Sequence, residues 1–286
     1  MLPKIRQIGH KSPEYPALLK ETPHAPEKFW CWGTIPKRTH YISIVGTRRC
    51  SAYGKEITDK IVAGLAPHDF VVVSGLALGI DTMAHEASLA YGVPTVAVIG
   101  SGMSEKALFP RQNYKLAEKI VASGGAILSE YPHDMLATLW SFPQRNRIVA
   151  GMCHATLVVE APEKSGALIT ARLALDYNRD VLAVPGGAFS QNSLGTNSLI
   201  KRGAGLVTSS EDVLHAFGIA TEKTIASAED FSPEETIIMA CLETPLDIDS
   251  LIRKSRMPSH AAQSAIGLLE LRGIIKKVGV EYIKNI

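Results

Sequence analysis

Seven short runs of β-branched and apolar residues recur along the middle of the chain, separated by stretches with helical spacing. The runs are Tyr41–Val45, Phe70–Ser74, Thr95–Ile99, Ala126–Ser129, Thr156–Glu160, Val181–Val184 and Gly205–Val207. Uninterrupted apolar runs of this length are typical of strands that are covered on both faces. Because these strands alternate with helices, the sequence predicts βαβ units and an α/β fold with a mostly parallel sheet.

The segments on either side of this region have a different character. Residues 1–39 are irregular and rich in proline, and we expect an N-terminal arm packed on the core, with a short strand at Phe29–Gly33. Residues 40–218 then form the main domain. Residues 219–232 show no hydrophobic periodicity and are predicted to be a linker.

Residues 233–286 predict a small second domain. Ser232-Pro233 followed by two glutamates is typical of a helix start, because it combines an N-cap, a proline at the first position and acids in the first turn. We expect three helices, at about 233–243, 247–255 and 259–272, and a two-stranded wing over Lys276–Ile283 that turns at Gly279. This order indicates a winged-helix-like domain.

The charge of the chain is too even to identify a partner. The net charge is +2, and residues 40–218 and 233–286 each contain equal numbers of basic and acidic residues. An anion site would therefore depend on local placement of arginines and backbone amides. Duplex DNA binding needs several phosphate contacts, so a protein-contact or regulatory role is favoured for the C-terminal domain.

No apolar run is long enough to span a bilayer and the N-terminus has no apolar signal core, so we expect a cytoplasmic protein with no membrane contact. The four cysteines, Cys31, Cys50, Cys153 and Cys241, are widely spaced. Neither a disulfide framework nor a metal site is expected from this spacing, and no cofactor is predicted.

Ligands of open parallel sheets bind beyond the carboxyl ends of the strands, so the turns after each strand are the place to look for a site. The first turn holds Gly46, Thr47 and Arg48, a tight turn with an arginine fork suited to phosphate. The second holds three polar or glycine residues that open a helix, and Asp81, which could cap amides or hold an arginine. Those three are Ser74, Gly75 and Gly79.

Two further segments add to the same predicted edge. After the third strand come Arg111 and Asn113, and before the next helix-forming stretch come four polar residues, Gln144, Arg145, Asn146 and Arg147. Arg145 and Arg147 point in different directions on a helix, so one is expected to bind phosphate and the other to pair with an acid such as Glu160 or Asp81. Phe142 either stacks on a base or packs the helix start.

The last turns contain Ser165, Gly166 and Thr170, and then Gly186. Glycine-containing polar turns that meet at one edge indicate a site for a phosphate-bearing ligand. The second turn lacks the Gly-x-Gly-x-x-Gly dinucleotide fingerprint, which disfavours NAD.

Taken together, the turns resemble the DNA-processing protein A (DprA/Smf) family. The runs that carry this resemblance are Ile44–Arg48, Ser74–Asp81 with Ala84-His85, Phe109–Asn113, Phe142–Gly151, Val159–Ala161 with Ser165–Ala171, and Val184–Gly186. The resemblance covers about residues 40–208. It implies an extended Rossmann fold that binds single-stranded DNA without catalysis, forms a homodimer and loads RecA recombinase during natural transformation.

The resemblance also implies roles for individual residues. Arg48 stands where the family has an arginine that contacts DNA. Arg111 stands where it has a basic residue, usually lysine, after Tyr-Pro; here the preceding pair is Phe109-Pro110, which keeps the charge. Asp81, Glu160 and Gly186 are expected to order the pocket rather than to contact the ligand.

Two alternatives use the same fold. A phosphoribohydrolase-like enzyme would need a glutamate where this chain has Leu199, and His85 and His133 are too isolated to serve as general bases. A sensor of free nucleotides would use the same pocket, and the sequence leaves it open.

Overall fold

The computed structural model describes residues 4–220, 231–242 and 244–284, which form two compact units, Met1–Thr221 and Glu222–Ile286. Residues 221–230, most of the predicted linker, lie outside the described residues. No helix in the described ranges is long and apolar enough to cross a membrane.

The first unit is built on a nine-stranded sheet. Its strands are β1 (Arg6–Gly9), β2 (Lys28–Gly33), β3 (His40–Val45), β4 (Phe70–Ser74), β5 (Thr95–Ile99), β6 (Ala126–Ser129), β7 (Ala155–Val158), β8 (Asp180–Ala183) and β9 (Gly205–Leu206). Their spatial order is β1-β2-β6-β5-β4-β3-β7-β8-β9, and the seven strands β3 to β9 are all parallel to one another. The predicted α/β fold with a mostly parallel sheet is confirmed.

Eight α-helices accompany the strands of this unit in the described range, the last of them following β9. They are α1 (Ala17–Lys20), α2 (Ala52–Leu65), α3 (Ile80–Ala90), α4 (Tyr114–Ala122), α5 (Ser141–Gly151), α6 (Gly166–Asp176), α7 (Leu194–Lys201) and α8 (Ser210–Ala216). Short 3-10 helices occupy Arg111–Asn113 and Gln191–Ser193. Successive residues of a strand point to opposite faces, so Val71 and Val73 enter one core cluster while Val72 enters another.

The order of the strands reverses at β3. This strand lies between β4, which follows it along the chain, and β7, which comes much later. The switch in strand order therefore lies between β3 and β7, at the carboxyl edge of the sheet, where the Thr47 amide donates to the Glu160 carbonyl at 2.7 Å. This is the position at which open α/β sheets bind ligands.

The N-terminal segment contributes two strands to the sheet. The strand predicted at Phe29–Gly33 is present as β2, which pairs antiparallel with β6, with Trp30 opposite Ser129. β1 pairs antiparallel with β2 in turn. The segment predicted as an arm thus extends the sheet and covers the edge of β6.

The second unit contains α9 (Pro233–Cys241), α10 (Ile248–Ser255) and α11 (Ser259–Leu271), with a sheet of β10 (Leu246–Asp247), β11 (Ile275–Val278) and β12 (Glu281–Lys284) in the order β10-β12-β11. Ser232 caps α9 by accepting from the Glu235 amide at 3.2 Å. β11 and β12 form the predicted wing, with Gly279 in the turn at φ +65°. β10, which the sequence analysis did not predict, adds a third strand.

Candidate nucleic-acid interface

The carboxyl edge of the parallel strands gathers the turns that the sequence singled out. Along this edge the turns follow the strand order β6, β5, β4, β3, β7 and β8. The sequence-predicted residues lie on the turns after β3, β4, β7 and β8 and on the elements that pack over β5. They divide into a buried group, which holds backbone in place, and an exposed group.

The turn after β3 is fastened on both sides and leaves Arg48 exposed. The Thr47 amide donates to the Glu160 carbonyl at 2.7 Å, and the Ile80 amide donates to the Thr47 carbonyl at 3.2 Å. Gly46 is required here, because a Cβ would collide with Ile80. Thr47 is buried, whereas the Arg48 guanidinium carbon lies 5.3 Å from the ring centroid of Phe142.

The turn after β4 adopts an unusual backbone conformation that Asp81 stabilises. Leu76 has φ +58° and Gly79 has φ +80°. The Asp81 carboxylate accepts from the amides of Gly75 at 3.0 Å and Ala77 at 3.3 Å. The Ser74 hydroxyl is buried and donates to the Ile44 carbonyl at 2.6 Å, so it faces the neighbouring strand and not the edge. Asp81 has the amide-capping geometry expected for it.

Asn113 supports the same turn from the opposite side. Its side-chain nitrogen donates to the Leu76 carbonyl and to the Thr82 hydroxyl, both at 2.8 Å. The residue is buried, while Arg111, two positions earlier in the 3-10 helix, is exposed. Of this predicted pair, Arg111 alone presents its side chain to solvent.

Arg145 occupies the interior, in contrast to the expectation that it contacts DNA. Its side chain is 6% exposed, and Nη1 donates to the carbonyls of Gly75 and Val98. Burial lowers the pKa of the Arg145 guanidinium and raises the pKa of the Asp81 carboxyl, and their mutual attraction opposes both shifts. Arg145 is buried because α5 points this position at the core, where the carbonyls of Gly75 and Val98 need a donor.

Arg147 is also committed to protein partners. Its Nη2 contacts both carboxylate oxygens of Glu130, at 2.6 and 2.5 Å, and Nη1 donates to the His24 carbonyl at 2.5 Å. The acid that pairs with Arg147 is thus Glu130, whereas Asp81, one of the two acids expected to attract an arginine of this run, acts on Arg145. Arg147 ties α5 to the N-terminal segment.

The remaining two polar residues of this run lie near the surface. Gln144 is exposed, and its side-chain oxygen accepts from the Tyr131 hydroxyl at 3.4 Å. The Asn146 side chain is half-buried and donates to the Gly166 carbonyl at 3.4 Å. Asn146 therefore links α5 to the start of α6.

Beyond β7, Glu160 holds the start of α2. Its carboxylate accepts from the Ser51 amide at 2.9 Å and from the Ser51 hydroxyl at 2.5 Å, and the same hydroxyl caps α2 by accepting from the Gly54 amide. Ser165 caps α6, accepting from the Ala167 amide at 3.2 Å. Gly166 is exposed at that helix start.

Thr170 and Gly186 complete the set. Thr170 is buried one turn into α6. Gly186, after β8, exchanges two hydrogen bonds with the Asn197 side chain, at 3.2 and 3.0 Å, and a Cβ there would collide with Ser193. Both residues shape the edge from within.

Two phenylalanines form the exposed apolar part of the edge. The rings of Phe109 and Phe142 lie 5.5 Å apart at an interplanar angle of 50°, and Phe109 is 45% exposed. Phe142 packs against Gly100 after β5 and lies beneath Arg48. A cation and two aromatic rings thus lie side by side, next to the turns after β3 and β4.

The comparison with known families decides the classification. Residues 6–218 match the family of DNA recombination-mediator protein A. The chain belongs to this family. Relatives include DNA processing protein DprA of Bacillus subtilis, 38% identical over 79% of this chain and 75% of that protein, and DNA processing protein DprA of Streptococcus pneumoniae, 41% identical over 71% of each chain. Protein Smf of Synechocystis is 42% identical, but the match spans about half of its length, 52%.

Solved structures of family members have the same fold. The structure of DprA from S. pneumoniae superposes with a TM-score of 0.68 at 38% identity, covering 74% of each chain. The structure of DNA processing protein A from Helicobacter pylori, described by its unique single-stranded DNA binding mode, superposes with a TM-score of 0.65 at 27% identity, covering 75% of this chain and 95% of that one.

Two other features of this DprA-family edge escaped the sequence analysis. Phe109 was noted as a replacement for tyrosine and not as a partner of Phe142, because their contact joins segments separated along the chain. Trp140, 54% exposed at the start of α5, was not singled out at all. The only available signal was a tryptophan four positions before Gln144, where the polar run begins.

His85, one of the two histidines considered as a base, lies in the core. Its Nδ1 is 2.8 Å from the Thr95 hydroxyl, and burial, assisted by Arg145, lowers the pKa of His85 to about 3. The Thr95 hydroxyl itself donates to the Val72 carbonyl, so Nδ1 carries the proton. Within the described ranges, no three His, Cys, Asp or Glu residues come together in a metal-binding group.

Proposed function

We propose that this DprA-family protein binds single-stranded DNA along the carboxyl edge of its sheet, as a cytoplasmic homodimer, and loads RecA recombinase onto that strand during DNA uptake without catalysing a reaction. The observation that carries the DNA-binding part is the exposed guanidinium of Arg48 above the Phe142 ring. That arrangement places a cation that can bind phosphate beside an aromatic ring that can stack on a base. These are the two elements of a single-strand binding groove.

The exposed residues of the edge make the proposed contacts with single-stranded DNA. Arg48 and Arg111 grip the phosphate backbone, because arginine forks match phosphate oxygens. Phe109 and Phe142 offer ring faces to the bases. Gly46, Gly75, Gly79 and Gly166 let the backbone of the turns approach the DNA closely, and Gln144 lies at the rim.

The buried group acts by keeping these parts in position. Asp81, Asn113 and Arg145 fix the turn after β4, and Glu160 fixes the turn after β3. The adjoining elements are held by further buried or half-buried residues, which are Thr47, Ser74, Asn146, Arg147, Ser165, Thr170 and Gly186. A strand bound at such an edge meets donors that need little rearrangement.

The relatives support the proposal at the level of the family. The H. pylori protein is described by its binding of single-stranded DNA, and the family by recombination mediation. Both descriptions fit a protein that delivers a DNA strand to a recombinase.

The DNA-binding proposal is tested by fluorescence anisotropy with a labelled dT oligonucleotide and a duplex of equal length. We expect salt-dependent binding that prefers the single strand. Arg48→Ala should weaken it by about 1–3 kcal/mol, the range for hydrogen bonds to charged groups. Arg38→Ala is the matched control: Arg38 precedes β3 at the opposite edge of the sheet and pairs there with Asp69.

Two results would overturn this assignment. Arg48→Ala could bind dT as tightly as wild type, or mononucleotides at micromolar concentration could displace the oligonucleotide, which would favour the nucleotide sensor. RecA loading has its own test, which is whether the protein accelerates RecA assembly on dT strands covered by a single-strand-binding protein. Sedimentation of the free protein tests the homodimer.

A further inference from the structure

An exposed apolar surface lies at the β6 end of the same edge. It comprises Leu136, Leu139 and Trp140, whose exposed fractions are 65%, 91% and 54%. These residues belong to the loop that joins β6 to α5. Monomeric proteins rarely leave several large apolar side chains together in water, so a patch of this kind marks a binding surface.

The loop is rigidly attached to the sheet edge. The Tyr131 hydroxyl donates to the Ser141 carbonyl at 3.3 Å, and the Ser141 hydroxyl donates to the Gly100 carbonyl at 2.5 Å. Gly102, after β5, packs directly against the backbone at His133. The patch therefore keeps a fixed position next to Phe142, which also contacts Gly100.

Tyr131 supports the indole of Trp140. The two rings are nearly perpendicular, with an interplanar angle of 77° and centroids 5.7 Å apart. Tyr131 is itself buried. Such an edge-to-face pair fixes the orientation of the tryptophan. About half of the Trp140 surface remains open to solvent.

The composition of the loop indicates whether it would bind the phosphates or the bases of a nucleic acid. Residues 131–140 contain no lysine or arginine, and Asp134 adds a negative charge. Phosphate is therefore disfavoured, whereas the flat face of a base matches an exposed indole, and base–aromatic stacking tolerates any sequence.

From these observations we infer that Trp140, held by Tyr131, is a further base-stacking position of this edge, where a base of the bound single strand lies on the indole. This inference rests on the proposed function. The ends of β3 and β6 are three strand spacings apart, roughly 14 Å, which a few nucleotides span. The strand would then run from Arg48 past Phe142 and Phe109 to Trp140.

The first test measures affinity with full-length protein and dT oligonucleotides of increasing length. Trp140→Ala should weaken binding roughly 5- to 150-fold, the loss of one stacked base, and the deficit should vanish for oligonucleotides too short to reach the loop. Trp140→Phe should recover most of the affinity. Tyr91→Ala, which removes an exposed ring at the end of α3 and outside this loop, should bind like wild type.

The second test uses tryptophan emission, which a stacked base quenches. The chain has three tryptophans, Trp30, Trp32 and Trp140. Saturating dT should quench wild type and the Trp30→Phe control equally, and the quenching should be lost in Trp140→Phe. This readout does not depend on affinity, so a small loss of stability in one variant leaves it interpretable.

The outcomes separate this inference from the proposed function. If Trp140→Ala binds every oligonucleotide like wild type and Trp140→Phe is still quenched, the stacking position is overturned, while weak binding by Arg48→Ala would leave the proposed function standing. If Trp140→Ala instead loses self-association with unchanged DNA affinity, the patch is a protein interface and the inference fails. If wild type binds no single-stranded DNA, both proposals fall.

Discussion

The carboxyl edge of the sheet has two halves of different character, one at the turns after β3 and β4 and the other over β5 and β6. Beneath the turns after β3 and β4, nearly every polar side chain that the sequence singled out is buried and bonded to backbone, as for Asp81, Asn113 and Arg145. Over β5 and β6, large apolar side chains such as Phe109 and Trp140 face water. In the first half the polar side chains hold the backbone of the turns in place, and in the second half the apolar side chains remain exposed to solvent.

This contrast shows that the arginines of an arginine-rich motif do not all contact a ligand, because some of them are buried and bind the protein itself. A buried charge is tolerated only with partners that replace water, and Arg145 finds them in two carbonyls and the field of Asp81. Substitutions of the buried polar residues should therefore damage folding, while substitutions of exposed residues such as Arg48, Phe109 and Trp140 should damage binding.

The largest effect is expected for Arg145→Met. The change leaves the carbonyls of Gly75 and Val98 without their donor and removes the positive charge near buried Asp81. We expect the free energy of unfolding in urea to fall by on the order of 3–5 kcal/mol. Arg48→Ala, at the exposed surface, should stay within about 0.5 kcal/mol. Equal stabilities for the two variants would remove the contrast.

A smaller effect is expected from acidification, through His85. Its pKa is about 3 in the folded protein and 6.5 ordinarily, so the unfolded chain binds one more proton between those values. The stability that neutral His85 contributes is complete above pH 6.5 and is lost as the pH falls below it, by about 1.4 kcal/mol per pH unit.

The measurement compares unfolding curves of wild type and His85→Gln between pH 7 and pH 5. Wild type should lose about 2 kcal/mol more than the variant across the lower 1.5 units of this range. Parallel pH profiles would show that His85 becomes charged in the folded state or that its burial is relieved.

The smallest effect is expected for Ser51→Ala, which removes the cap of α2 and one donor to Glu160. The free energy of unfolding should drop by about 1 kcal/mol. Because Ser51 and Glu160 anchor the turn that carries Arg48, affinity for dT should also fall several-fold. Ser209→Ala, at the N-cap of α8, is the control, with a similar loss of stability and unchanged DNA affinity. A binding loss shared by both variants would contradict this link.

Much of the fold could be read from local patterns. The runs at Phe70–Ser74, Thr95–Ile99 and Ala126–Ser129 are strands with the predicted bounds, because a fully buried parallel strand has a continuous apolar signature. The helix starts at Ser51, Ser165 and Ser232 follow from capping chemistry that a short sequence window contains.

The rest depends on contacts between distant parts of the chain. The antiparallel pairing of β2 with β6 joins segments about a hundred residues apart, and nothing near Trp30 specifies it. Arg145 and Arg147 are two positions apart on α5, so either could face the core. The one that is buried is set by how α5 is rotated against β4 and β5, and the sequence spacing does not determine that rotation. The exposure of Trp140 likewise depends on how its loop returns over the sheet.

The pairing of β2 with β6 has a consequence for anyone who trims this protein. A fragment that starts at the regular part, near residue 40, would strip the antiparallel border from β6 and offer its unpaired amides and carbonyls to other molecules, a familiar route to aggregation. It would also take the His24 carbonyl away from Arg147. The smallest well-behaved piece of the first unit should therefore begin ahead of Arg6, even though Arg48 and Arg111, which are proposed to bind phosphate, come later.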